Sequence, residues 1–262
     1  MDQQVDKLRI VAIVQGRMSS RRLPGKILLD MGGKPMLARV LQRARRARLV
    51  DQVVMATTVD PSDDPVAEFC LQHGYPCFRG NLFDVLDRYY QAAKHYQADV
   101  VVRITADCPV IDPSEIDRTI QAFLDAEVDF AANRLPPPFT RTTPIGMDTE
   151  VVKFAALERA WREADEKYER EHVMPYLYDQ PGRFSILVVD HEPNLGHLRW
   201  TVDTPEDLAV LREIYASFNN RDDFSMAELL EQTRIHPGWQ EMNANIYHNS
   251  FLDTDNRAQG NA

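Results

Sequence analysis

The feature that most limits what this chain can fold into is a repeated change of hydrophobic period. Residues 8–14 are an apolar run with one Arg, rich in β-branched side chains and too short for a helix. That is the pattern of a strand buried on both faces of a parallel sheet. A basic polar loop follows at 15–26. Residues 35–48 then set Met36, Leu37, Val40, Leu41 and Ala44 at helical spacing behind Pro35. A strand at 53–59, helices at 63–73 and 83–96 and a strand at 99–105 continue the alternation. A helix at 113–126, with Asp112 as its N-cap, and a short strand at 128–132 complete it. Strand–helix–strand order calls for right-handed crossovers, so the expected class is α/β, a mostly parallel sheet with helices on both faces. Ligands of such sheets sit beyond the carboxyl ends of the strands, which puts the loops after Val14 and Ile104 at one edge.

The second half is less regular. Pro136, Pro137 and Pro138 in a row can join neither a helix nor a central strand, so 134–147 reads as a surface loop or lid. Beyond it the pattern predicts strands at 149–152, 184–189 and 198–202, and helices at 155–167, 168–178, 205–217 and 226–232. One domain over 1–240 is expected, followed by a polar, Asn-rich, disordered tail at 241–262. A chain of 262 residues buries enough surface to need no staple. Cys70, Cys77 and Cys108 form no C-x-x-C pair, and their odd number argues against a disulfide framework.

No apolar run approaches the roughly 20 residues of a membrane span, and the N-terminus lacks a signal-peptide pattern, so the expected address is the cytoplasm. A formal net charge of −10 argues against a nucleic-acid partner. The run Arg39, Arg43, Arg45, Arg46, Arg48 reads as the solvated face of an amphipathic helix, with no aromatics for base stacking.

Charge does reverse locally. The loop 15–26 reads Q-G-R-M-S-S-R-R-L-P-G-K, with Arg17, Arg21, Arg22 and Lys26 within ten residues directly after the first strand. Gly16 and Gly25 allow close backbone approach or positive φ, and Ser19 and Ser20 add small hydrogen-bonding groups. Backbone donors with fixed cations around them are what a triphosphate requires. The loop is neither a Walker loop nor a G-x-G-x-x-G turn. Asp107 follows the strand ending at Thr105, where a carboxylate could hold Mg²⁺ against phosphate or simply turn the chain before Pro109. Asp203 repeats the design ahead of Pro205 and could equally be a helix cap.

Arg17, Ser20, Arg22, Leu23, Pro24, Gly25 and Lys26 reproduce R-x-x-S-x-R-L-P-G-K. This resembles the signature of the 3-deoxy-manno-octulosonate and acylneuraminate cytidylyltransferases, and with Gln15 it is most similar to their spore-coat polysaccharide branch. The resemblance spans roughly 8–215. It implies a Rossmann-like nucleotidyltransferase fold, CTP as co-substrate, Mg²⁺ as cofactor, transfer of CMP to an acidic, nonulosonic-type sugar, and release of pyrophosphate. By the same resemblance Arg17, Arg22 and Lys26 would serve catalysis at the CTP phosphates, while Gln15, Gly16, Ser20, Gly25 and Thr105 would complete the nucleotide site. Arg21 falls at a variable position. The segments A-D-C-P and V-D-T-P-E-D-L match those that supply metal-binding aspartates, here Asp107 and Asp203. Ala106 replaces a usual glycine. Cys108 stands where octulosonate enzymes carry an acid, as it does in the spore-coat branch, and reads as a packing thiol rather than a nucleophile.

Asp148, Glu150, Arg170 and His172 fall in segments that the resemblance assigns to the acceptor side, with Arg134 and Arg141 as receivers of a carboxylate or as solvated charges. A homodimer through 134–195 is a further implication. Two rivals stand beside this reading. One is a glycosyltransferase of related architecture, which would place D-x-D where Asp107 is followed by Cys108 and Pro109. The other is a nucleotide-binding protein without turnover.

Overall fold

Along β1 (Ile10–Gln15) successive side chains enter different cores, Ala12 and Val14 on one face of the sheet and Val11 and Ile13 on the other. A strand apolar at every position therefore needs helices above and below it. Described residues run from 7 to 246 in this computed structural model. After β1 come α1 (Met36–Ala44), β2 (Gln52–Thr58), α2 (Asp64–Gln72), β3 (Cys77–Gly80), α3 (Val85–His95), β4 (Val100–Thr105) and α4 (Pro113–Ala126). The chain continues through β5 (Phe130–Ala132), β6 (Glu150–Lys153), α5 (Phe154–Glu163), α6 (Lys167–His172), α7 (Pro175–Tyr178) and β7 (Ile186–Val188). It closes with α8 (Pro205–Ser217), α9 (Met226–Ile235) and α10 (Gly238–Met242).

The strands form one sheet in the order β3-β2-β1-β4-β6-β5-β7. Only β6 runs against the rest, pairing antiparallel with β4 and β5. Strand order reverses at β1, flanked by β2 and β4, so a crevice opens beyond the carboxyl ends of β1 and β4. Because β6 is reversed, its first residue Glu150 reaches that same edge, opposite Arg103 of β4. The mostly parallel α/β sheet predicted from the period changes is the sheet observed.

Several local expectations need correction. Residues 198–202 are not a sheet strand. They run extended between two loops, with a single bridge between Ile145 and Arg199, and Val202 N–H donating to Asp107 O at 2.9 Å. The helix expected at 168–178 is broken at Val173, whose φ is 74°, and restarts with Pro175 in the first turn of α7. β3 and α10 were not anticipated. Helix α10 crosses the expected start of the tail at 241, and Asn243 just after it is buried; residues 247–262 lie outside the described residues. The largest departure is on α1, where Arg39 and Arg43 are fully buried rather than solvated. Arg39 donates to the carbonyls of Met31, Gly32 and Asn220, and Arg43 to those of Ile111, Asp222 and Phe224. Each lies over a ring, Tyr215 at 4.3 Å and Phe224 at 4.4 Å. The segment 218–224 covers this helix face, and the two guanidinium groups satisfy its backbone.

Candidate active site

Beyond β1 and β4 lies a cleft of about 530 Å³. Its basic wall is the loop between β1 and α1. Met18 N–H donates to Asp63 at 2.7 Å, and the same buried carboxylate takes the amide and hydroxyl of Thr58, tying the loop to the end of β2. Gly25, at φ 71°, closes the loop by donating to Met18 O at 2.8 Å, and its left-handed conformation starts the turn that points Lys26 inward. At Gly16 a Cβ would come within 2.6 Å of the Ala106 Cβ, so the bare backbone lets the ends of β1 and β4 meet.

Lys26 is 8% exposed and bridges two carboxylates. Its Nζ lies 2.9 Å from Asp107 Oδ2 and 3.0 Å from Asp203 Oδ1, and donates to Val202 O at 2.7 Å. Burial works against the ammonium, but Asp107 and Asp203 outweigh it and hold Lys26 above its ordinary pKa. Burial likewise disfavours the Asp107 carboxylate, yet the Lys26 charge and hydrogen bond bring it below its usual range. The extended segment after Leu198 lays Asp203 beside Asp107: Thr201 Oγ1 donates to Asp107 O at 3.0 Å, next to the Val202 contact. Asp203 Oδ2 also meets Arg22 and Arg199, both at 3.0 Å. Cys108 is buried and burial pushes its thiol up, so it offers no thiolate.

Gln15, Gly16, Arg17, Ser20, Arg21, Arg22 and Thr105 line the cleft with Lys26 and the two aspartates, whereas Gly25 does not line it and closes the loop through Met18 O. Asp148, Glu150, Arg134 and His172 line the opposite part. Glu150 is paired with Arg103, and Asp148 takes both terminal nitrogens of Arg141 at 2.6 and 3.1 Å. Gly146, at φ 104°, passes against the Trp200 carbonyl, where a Cβ would lie 2.5 Å from the oxygen. Arg170 is not in the cleft: it forms a three-contact pair with Asp84 at the start of α3 and donates to Trp161 O at 2.6 Å, bracing α6. Arg103, Tyr178 and Arg199 were not singled out from the sequence. For Arg103 a signal existed: a lone cation within the apolar run V-V-V-R-I-T.

A phosphate-sized cationic loop facing two carboxylates at the switch point of a parallel sheet defines a nucleotide-handling enzyme of the α/β class. The chain matches the cytidylyltransferase family over residues 11–241, and it belongs to that family. It is 31% identical to the spore coat polysaccharide biosynthesis protein SpsF of Bacillus subtilis, covering 87% of this chain and 95% of the relative. Identity to a 3-deoxy-manno-octulosonate cytidylyltransferase of Afipia carboxidovorans is 28%, over 79% of this chain and 96% of that protein. The solved structure of a cytidylyltransferase from Leptospira borgpetersenii superposes with a TM-score of 0.85 at 34% identity, over 92% of this chain and all of that one.

Proposed function

We propose that the protein transfers CMP from CTP to an acidic sugar destined for a surface polysaccharide, with pyrophosphate as the second product. The observation that carries this reading is Lys26, seated between Asp107 and Asp203 at the end of the basic loop. An ammonium held by two hard carboxylates occupies the position where a divalent cation fits. One or two protein carboxylates completed by phosphate oxygens is what Mg²⁺ takes, and among the described residues no larger cluster of metal-binding side chains exists. Asp107 and Asp203 would hold Mg²⁺, which supplies polarisation of the phosphate oxygens and acidifies the acceptor hydroxyl.

The acceptor hydroxyl gives up its proton to solvent as its oxygen attacks the α-phosphorus in line; the new P–O bond forms and the α–β bridging bond breaks toward pyrophosphate. Arg17, Arg22 and Lys26 neutralise the leaving group, and catalysis is mainly positioning and charge stabilisation. Asp148, Glu150 and His172 face the acceptor from the opposite wall. A homodimer through 134–195 belongs to the same reading, supported by β7, an edge strand whose Ile186, Leu187 and Val188 are only half-buried.

Pyrophosphate release, measured with each of the four nucleoside triphosphates and Mg²⁺ against a panel of 2-keto-3-deoxy acid sugars, tests this. Release is expected with CTP alone and should fall by roughly 10²–10³-fold in Lys26→Ala and Asp107→Ala. Absence of CTP binding would sink the reading. Cleavage of a sugar nucleotide to a free nucleotide would indicate glycosyl transfer instead.

A further inference from the structure

We propose that Arg199 and Asp207 form a buried bracket that fixes the carboxylate of Asp203, and that Asn243, beyond α10, latches this bracket. The C-terminal segment is then part of the nucleotide site. The inference rests on the reading of Asp203 as a cation-holding group.

Asp203 meets three cations: Lys26 on Oδ1, and Arg22 and Arg199 on Oδ2. They are not equivalent. Lys26 and Arg22 ride on the loop that receives phosphate, so an incoming triphosphate competes for both. Arg199 cannot follow them. Its side chain is 7% exposed, and its Nε and Nη2 each lie 2.8 Å from an oxygen of Asp207 while Nη2 also holds Asp203 at 3.0 Å. A bidentate guanidinium–carboxylate pair fixes direction as well as charge. Asp207 in turn is wholly buried and takes the Asp203 amide at 2.9 Å and, as its half of the α8 capping box, the Thr204 amide at 3.2 Å. Its remaining contact comes from outside the α/β core. Asn243 Nδ2 donates to Asp207 Oδ1 at 3.1 Å and to Arg199 O at 3.3 Å, and Asn243 is 4% exposed.

One Asp203 oxygen is therefore held from behind by a group that stays when nucleotide binds, which leaves the other free to face the cleft once Lys26 departs. Preset orientation of a ligand carboxylate by a buried partner governs affinity for the cation it holds. A helix-capping role alone would use Asp207 as an acceptor and would be indifferent to the Arg199 charge.

The test is electron paramagnetic resonance of Mn²⁺ binding in the presence of CTP, beside CTP binding in EDTA and thermal melts. The paired variant Arg199→Gln/Asp207→Asn keeps the net charge and a capping oxygen on residue 207, and Asn243→Ala removes only the latch. In the paired variant Mn²⁺ affinity should fall roughly 10- to 100-fold, and in Asn243→Ala by a smaller factor. Both should bind CTP in EDTA within about twofold of the parent. Lower melting temperatures with unchanged Mn²⁺ affinity would reduce the bracket to a helix cap and overturn the proposal. Asp203→Ala is the separate control. Mn²⁺ affinity unaffected by that substitution would overturn the reading of Asp203 and the bracket with it, whereas loss there but not in the paired variant would overturn the bracket alone.

Discussion

Arg88, on α3, is a buried cation whose guanidinium has little to compensate its burial. It is 1% exposed, and Nε, Nη1 and Nη2 have no hydrogen-bond partner among the described residues. Burial brings its pKa down to about 10, with the like charge of Arg17 also opposing it and Tyr89, Asp63 and Asp84 offsetting only part of the cost. An unsatisfied buried donor costs about 1–3 kcal/mol, and more when charged. Met is similar in length and flexible enough to fill the space. Arg88→Met should therefore raise the stability of the nucleotide-free protein by about 1–3 kcal/mol, read as a higher urea midpoint with an unchanged slope. A fall of similar size would mean that the guanidinium is engaged after all.

At this scale the cleft was only partly legible in the sequence. Arg17, Lys26 and Asp107 lie in motifs directly after β1 and β4, so strand-end logic brings them to one edge, whereas Asp203 reaches it along the extended crossing of 198–202, which is no strand of the sheet. Arg103 and Arg199 escape that logic. The first lines the cleft because β6 runs antiparallel and sets Glu150 opposite it. The second reaches Asp203 through an extended crossing that pairs with loops instead of the sheet. Neither pairing leaves a periodic trace. Arg170 shows the converse: sequence proximity to His172 says nothing about Asp84, 86 residues away, with which it pairs outside the cleft.

Among the elements, α1 separates what period can reveal from what it cannot. Its apolar spacing and its start behind Pro35 were readable, as were the Asp112 cap of α4 and the start of α8 at Pro205, although α8 is capped by Thr204 and not by Asp203. Its burial was not, because a helix with Arg at every third or fourth position looks solvated until another segment lies over it. That segment is fastened by Asp222, whose carboxylate takes Arg39 and Lys34, each at 2.7 Å. Burial opposes the Asp222 charge, but the Arg39 and Lys34 hydrogen bonds and charges prevail and hold its pKa below the usual carboxylate value. The unfolded chain then binds more protons through that window, so stability rises with pH across it. The contribution is complete above the ordinary carboxylate pKa of about 3.9 and is lost as pH falls through the depressed folded value. Asp222→Asn should cost about 3 kcal/mol at pH 7, since it leaves a buried guanidinium without its counter-ion. The gap from the parent in denaturant titrations should close steadily below pH 4. A gap that stayed constant into acid would show that shape, not charge, fastens the segment.

For the molecule as a whole, an acidic chain sets a group of cations at the edge where a polyanion would enter, and occupies two of them, Arg22 and Lys26, with its own carboxylates. Lys26 stands between Asp107 and Asp203, with its ammonium held by both carboxylates and the Val202 carbonyl. On the proposed function, Mg²⁺ seated between those aspartates would displace Lys26 toward the triphosphate, and a triphosphate that drew Lys26 away would vacate the same carboxylates for Mg²⁺. The two ligands should thus favour each other, and the coupling must be reciprocal. Saturation at about 100 Kd stabilises by about 2.7 kcal/mol, which for a chain of this size corresponds to a melting shift of roughly 5–10 °C. The shift with CTP and Mg²⁺ together should exceed the sum of the two separate shifts. Lys26→Ala sharpens the prediction: without the ammonium the bare carboxylates should bind Mg²⁺ better on its own, so the Mg²⁺-only shift should grow while the surplus shrinks. Strict additivity in the parent would mean that Lys26 stays between the aspartates when nucleotide binds, and a surplus undiminished in Lys26→Ala would mean that the coupling comes from direct Mg²⁺–phosphate contact and not from displacement of Lys26.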